Sequence, residues 1–287
     1  VLWQLSYKFT YVNLLVRVIA IIVVLVIVNK WTNPANKLSW TFLILLSPIF
    51  GLMVYFLFGR SGLTKHTRER MDAVNRQVEA LFQRDSAEEK GLEKESRSAY
   101  LQSSYIDKWA GFPLYQNTQT KYYSCGEEMF PDMLEALRGA KHFIFLEYFI
   151  IEEGYMFNTI LDILEEKAKA GVDVRFIYDD VGSINSISFG YYKKLQERGI
   201  PCVTFNPFKP LISVVMNNRD HRKIFVVDGY IGFTGGINLA DEYINKVKRF
   251  GYWKDTGVRI EGEAVWSLTA MFLEMWNYIN RSTEDYS

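Results

Sequence analysis

The sequence predicts an α/β sandwich built on a mixed sheet, preceded by a two-helix transmembrane hairpin. Three observations predict it. Beyond residue 120, short apolar runs alternate with segments of helical periodicity in the order β-α-β-α-β. Two further apolar runs then flank Asp228-Gly229, a dipeptide suited to a tight hairpin turn, so antiparallel strands join the parallel ones. At the other end of the chain, residues 1–59 carry two long apolar runs, only Lys8, Arg17, Lys30 and Lys37 as cations, and no acids.

The first apolar run, Val12 to Val28, is interrupted only by Asn13 and Arg17. As a helix it extends about 25 Å, enough to cross the hydrocarbon core, with Arg17 able to snorkel to the interface. The second run, Trp40 to Phe58, contains Pro48 and Gly51, which predict a kink. Trp3, Trp31 and Trp40 fall near the ends of these runs, where indole rings favour the interface. No small-residue cleavage site follows the first run, so a membrane hairpin is expected rather than a signal peptide. Lys30 and Lys37 lie between the runs, while Lys8, Arg60, Lys65, Arg68, Arg70 and Arg76 lie outside them. That bias puts both ends of a multi-pass anchor, and everything downstream, on the cytoplasmic side of the cell membrane. The expected boundaries are 1–60 for the hairpin (spans about 12–28 and 40–58), 61–105 for a charged helical linker and 106–287 for the α/β domain. A surface helix over Met71–Leu81 should lead into a mobile part of that linker.

Within the domain, Lys121 to Cys125 reads as a short strand, followed by a helix opening at Gly126. His142 to Ile151 reads as a central buried strand. Glu147 inside it must be paired or shifted in pKa. It either faces the site and orients a catalytic group or makes a structural hydrogen bond to a neighbouring strand. Met156 to Ala170 is an amphipathic helix ended by Gly171, and Val172 to Asp180 is the next strand. Asp179, Asp180 and Ser183 lack companions that would complete a metal site, so a strand-end turn is expected. A helix over Phe189–Arg198 and a strand over Pro201–Phe205 follow. The apolar stretch 206–217 either dips into the bilayer or packs under the sheet. After the hairpin, Trp253 to Ile260 reads as a strand and Ala264 to Ile279 as a core helix. Cys125 and Cys202 are read as buried free thiols in strands. Residues 60–287 hold 29 of the 33 basic residues and all 33 acids, a net charge of minus four with no basic excess for nucleic acid.

The chemistry is expected at Asn218–Asn238. On a strand, His221 and Lys223 share a face while Arg222 points away. Gly235-Gly236 leaves bare backbone for a ligand to approach, and the Asn238 amide can donate to an anionic oxygen. Imidazole, ammonium, backbone and amide together suit a phosphoryl group. Asp228 lies at an odd offset from His221, which points to turn geometry or indirect support rather than proton transfer.

The spacing His221-x-Lys223-x4-Asp228, followed by Gly235-Gly236-x-Asn238, resembles the HKD motif of the phospholipase D superfamily. The run Asn218-Arg-Asp-His-Arg-Lys-Ile with Asp241-Glu242-Tyr243, and later Trp253-Lys-Asp255-Thr, is similar to bacterial cardiolipin synthases. Pro48-x-x-Gly51 with Tyr55-Phe-Leu-Phe-Gly59-Arg60 resembles their N-terminal membrane segment. The resemblance implies a phospholipase D-like sandwich and a catalytic set of His221, Lys223 and Asp228. Gly235, Gly236 and Asn238 are the implied substrate contacts, with no metal and no cofactor. It further implies phosphatidyl transfer through a phosphohistidine, making cardiolipin from two phosphatidylglycerol molecules with release of glycerol. Such a site needs two HKD elements, and neither His66 nor His142 begins a second one. With Val1 in place of an initiator methionine, the chain is expected to be the first half of a longer protein or a protomer completed by a copy of itself. The expected partners are therefore anionic phospholipids, the membrane and a second HKD domain, with no nucleic acid. Two other readings stay open: a membrane-tethered homodimeric phosphodiesterase (phospholipase D or nuclease), and a non-catalytic membrane scaffold.

Overall fold

The computed structural model describes residues 2–59, 65–82, 86–207, 219–282 and 284, with the side chains of 2–8, 65–68 and 86–88 excepted. The stretch 206–217 therefore lies almost wholly outside the described residues, as do Asn218, Arg60 and the side chains of Trp3, Lys8, Lys65 and Arg68. The chain divides into two units, the N-terminal helices and the α/β domain.

In the N-terminal unit, α1 (Leu2–Asn29) contains a span of 21 residues, Phe9–Asn29, with mean hydropathy 2.8. It is the one helix among the described residues long and apolar enough to cross a membrane. The second expected span is not one continuous helix. It forms two helices, α2 (Pro34–Leu46) and α3 (Pro48–Phe58), of 13 and 11 residues. At 1.5 Å per residue these run about 20 and 16 Å, and neither alone spans a core of about 30 Å. Pro48 disfavours the helical conformation at the residue before it, and Ser47 takes φ −140°, ψ 86°. The result is a break rather than a kink. A Cβ on Gly51 would sit 2.6 Å from the Ile44 Cα, so glycine is what lets α3 close against α2. Ile44, Leu52 and Tyr55 bury with Ala20 and Ile27 of α1, and the Trp40 and Tyr55 rings meet edge-on at 5.5 Å.

In the second unit the expected linker is helical: α4 (Lys65–Glu79), α5 (Ser86–Glu95) and α6 (Arg97–Ala110). The helix expected over Met71–Leu81 is α4, which packs on the last helix, burying Val74 and Val78 and laying Arg70 over the Tyr278 ring at 4.7 Å. The domain then runs β1 (Thr118–Tyr123), α7 (Gly126–Gly139), β2 (Phe143–Tyr148), α8 (Tyr155–Lys169), β3 (Asp173–Asp179), α9 (Tyr191–Glu197), β4 (Cys202–Phe205), β5 (Ile224–Val227), β6 (Ile231–Gly235), β7 (Gly257–Gly262) and α10 (Val265–Asn280). The seven strands form one mixed sheet in the order β1-β7-β6-β5-β2-β3-β4. Strands β2, β3 and β4 are parallel, while β5, β6, β7 and β1 continue antiparallel.

Side chains alternate across the sheet, and the two faces are covered by different helices. Leu146, Tyr148, Phe176, Phe225 and Phe233 bury against α7, α8 and α9. Phe145, Ile177, Ile224 and Val226 bury against Phe272, Leu273 and Trp276 of α10. Cys202 lies in β4 and Cys125 precedes α7 rather than ending a strand; both thiols are free and buried.

Candidate active site

The antiparallel registers bring several chain segments to one end of the sheet. The C-terminal ends of β2, β3 and β6 meet the segment entering β5 and the start of β7. His221 and Lys223 lie in that entering segment. It lies outside the assigned strands, and strand pairing begins only at Ile224, later than expected.

The period of two nevertheless holds through it. Lys223 Nζ lies 3.2 Å from His221 Nδ1 and donates to the His221 carbonyl at 2.9 Å. Arg222 points the other way, its Nε 2.8 Å from Glu147 Oε1 and 3.1 Å from Asp220 Oδ1. Glu147 therefore faces Arg222 and Asp220 rather than His221. Burial lifts its carboxyl well above the ordinary range, opposed by Arg222 and reinforced by Asp220.

His221 is exposed, whereas Lys223 is 4% exposed. Burial brings the Lys223 ammonium down to about 8, and Asp255 and Asp220 pull the other way. The Phe149 ring packs 4.5 Å from the imidazole and 5.4 Å from Lys223 Nζ, a cation–π distance for the ammonium. Asp179 fixes the backbone from the β3 side. Its carboxylate accepts from Val181 N, Gly182 N and, at 3.1 Å, Asp220 N, with Arg219 at 3.5 Å. The turn expected after β3 is thus also what holds the start of the His221 segment.

Asp228 takes the turn position that its odd offset from His221 pointed to, away from the catalytic set in which the resemblance puts it. It sits in the β5–β6 turn, at the opposite end of the sheet from His221, where it takes no part with the imidazole. Asp228 and Gly229 adopt φ 52° and 64°, the positive pair a tight mirror-image hairpin turn requires, and Tyr230 N donates to Val227 O. The carboxylate accepts from the backbone N–H of Lys141, His142 and Phe143 at 2.7–2.9 Å, and those bonds hold its pKa below the carboxylate range against its burial. It ties the hairpin to the start of β2.

Gly235, Gly236 and Asn238, the substrate contacts that the resemblance implies, each have a structural part in the fold. A Cβ on Gly235 would collide with the Thr256 carbonyl, and one on Gly236 with the Asp255 carboxylate. Gly235 also has φ 147°, a conformation suited to glycine. Gly236 thus makes room for the Asp255 carboxylate, and Gly235 for the backbone entering β7. Asn238 is buried; its Oδ1 accepts from Ile150 N at 3.0 Å and its Nδ2 donates to Tyr243 Oη at 2.8 Å. It joins β2 to the turn after β6.

Asp255 and Phe149 are among the site residues to which the sequence reading assigned no role. The one available signal was the Asp in Trp253-Lys-Asp255-Thr256. Phe149 carried none, being one apolar residue among many.

The family profile described as "Cardiolipin synthase, PLD-like domain" matches residues 133–276, half of the chain, and contains every site residue described above. The chain belongs to the PLD-like cardiolipin synthase domain family. A second profile, "Phospholipase_D-nuclease N-terminal", matches residues 18–60, within the N-terminal unit. Among relatives of this cardiolipin synthase-like chain, an uncharacterised protein of Streptococcus mutans is 41% identical over 91% of the chain and 57% of its own length. Cardiolipin synthase 1 of Bacillus cereus is 36% identical over 97% of the chain and 55% of its own length. The chain thus spans about half the length of the curated relatives it matches. Among solved structures it is similar to Nuc, a phospholipase D family member from Salmonella typhimurium, with TM-score 0.41 and 22% identity over 59% of the chain and 97% of Nuc.

Proposed function

We propose that this chain is a membrane-anchored phosphatidyltransferase half, whose His221–Lys223 pair supplies one of the two HKD elements of a cardiolipin-forming site. The observation that carries the reading is the ammonium of Lys223, buried and 3.2 Å from the imidazole of the exposed His221. Nδ1 faces the ammonium, which leaves Nε2 for substrate. An ammonium fixed there can stabilise the charge that builds on the non-bridging oxygens of a phosphodiester.

In the first step one imidazole attacks the phosphorus of phosphatidylglycerol. The new P–N bond replaces the P–O bond to glycerol, and the imidazole of the second element protonates the departing alkoxide. In the second step the hydroxyl of another phosphatidylglycerol gives its proton back to that imidazole and attacks phosphorus. The P–N bond breaks and cardiolipin forms. His221 takes either role; its mate comes from a second HKD domain, either in a longer chain or in a second copy of this one.

Membrane attachment through α1 brings the enzyme to its lipids, and the profile match at 18–60 supports that attachment. The domain is placed on the cytoplasmic side by Arg60, Lys65, Arg68, Arg70 and Arg76, which follow α3. This placement is the same whether α2 and α3 complete a second crossing or return to the side they entered from.

The test is His221→Ala in the full-length reading frame, assayed for cardiolipin made from phosphatidylglycerol. Synthesis should fall by at least about a thousandfold, as for loss of a nucleophile or its proton carrier, with membrane insertion unchanged. Undiminished synthesis would reject the assignment, and hydrolysis of phosphatidylglycerol without transfer by the unaltered protein would favour a phosphodiesterase.

A further inference from the structure

Between the 3₁₀ turn Asp241–Ile244 and β7, the chain leaves the domain as a loop exposed at every residue from Lys246 to Tyr252. Its side chains are of two kinds. Val247, Phe250 and Tyr252 are 51%, 75% and 64% exposed. Lys246, Lys248, Arg249 and Lys254 are interleaved with them, so residues 246–254 carry four cations and no acid.

The loop's neck is closed, so its composition is not that of a frayed segment. Asn245, at φ 53°, donates through Nδ2 to the Trp253 carbonyl at 2.8 Å and accepts from Trp253 N at 2.7 Å. The Trp253 ring packs 5.1 Å from Tyr243 and 5.9 Å from Phe250. Tyr243 in turn receives the Asn238 amide, so the loop is braced on the residues that frame the candidate active site. Two of its cations are partly occupied: Arg249 lies 3.2 and 3.3 Å from Glu152 and Glu242, and Lys246 rests over the Tyr155 ring. Lys248 and Lys254 project from the exposed strip itself.

We propose that residues 246–254 form a docking surface for an anionic phospholipid bilayer, with Val247 and Phe250 entering the interface, Tyr252 held back by its hydrogen bond to Glu127, and Lys248 and Lys254 meeting headgroup phosphates. Aromatic rings favour the headgroup level, and basic residues near an anionic leaflet are drawn to it. Charge complementarity selects an anionic surface. The aliphatic and aromatic tips favour lipid over nucleic acid, whose backbone offers nothing apolar to Val247 or Phe250. The chain's own span, α1, keeps a bilayer at high effective concentration. The inference concerns how the site end of the domain meets lipid and does not depend on the transfer chemistry proposed for His221.

The test uses the full chain in lipid nanodiscs with Val247→Cys carrying an environment-sensitive fluorophore; the native thiols Cys125 and Cys202 are buried. Tyr230→Cys, exposed at the opposite end of the sheet, is the control. In phosphatidylglycerol discs the label at 247 should shift its emission to shorter wavelength and the label at 230 should not. The added pair Lys248→Glu and Phe250→Ser should abolish the shift, with the far-ultraviolet circular dichroism unchanged. His221→Ala should leave the shift intact, which separates this proposal from the fate of the catalytic one. Equal, water-like emission at 247 and 230 in phosphatidylglycerol discs would overturn the proposal. So would a shift produced in phosphatidylcholine discs by adding a DNA duplex.

Discussion

The balance of charge around Lys223 decides what the site can do at a given pH. Burial disfavours the ammonium and brings it to about 8, so the cation is present below that pH and lost above it. A rate that needs the cation should therefore show an alkaline limb in kcat/KM near pH 8, since kcat/KM reports the free enzyme. Lys223→Arg keeps a charge that does not titrate in this range, so its limb should move beyond the lysine range even if its rate is lower. A wild-type profile flat to pH 10 would contradict this. The pairing of His221 with Lys223 was legible because the alternation that sets residues two apart on one side already holds in the segment leading into β5. Asp255 was visible as part of Trp253-Lys-Asp255-Thr256, but its place in the site was not legible. It reaches Gly236 from the approach to β7, and no local spacing reports which residue fills the room a distant glycine leaves.

At the scale of elements, the β5–β6 hairpin shows why a motif residue need not be a catalytic one. Asp-Gly announced the turn, and both residues take the positive φ it needs. What the sequence could not show is that the Asp228 carboxylate also collects three backbone N–H groups from the start of β2. Asp228→Asn should lower stability by about 1–3 kcal/mol, read from denaturant unfolding near neutral pH, while transferring activity per folded molecule stays near wild type. The pH dependence has a definite sign. The folded-state pKa is depressed, so this stabilisation is present above the unfolded value of about 4 and fades as pH falls through the folded one. A large loss of activity with unchanged stability would return Asp228 to the chemistry. The N-terminal unit gives the complementary lesson. Pro48 was visible and read as a kink, but the restriction it places on Ser47 ends the helix outright, leaving α2 and α3 where one span was expected.

At the scale of the whole molecule, alternation of apolar runs was enough to foresee a mixed sheet, because each strand of a covered sheet must be apolar on one or both faces. The sheet order was not readable, since pairing β5 with β2 and β7 with β1 joins segments far apart in sequence. That order collects His221, Lys223, Phe149, Asp179 and Asp255 at one end and sends Asp228 to the other. The central claim is that this collected end grips a phosphodiester through His221 and Lys223. The chain has three histidines, so imidazole nitrogen resonances can be followed individually in the ¹⁵N-histidine-labelled protein. Titration with glycerophosphoglycerol, the headgroup diester without its acyl chains, should move the His221 signals, leave those of His66 and His142 in place, and have no effect in Lys223→Met. A His221 signal that stays fixed at saturating diester, or one that moves equally in Lys223→Met, would contradict the claim.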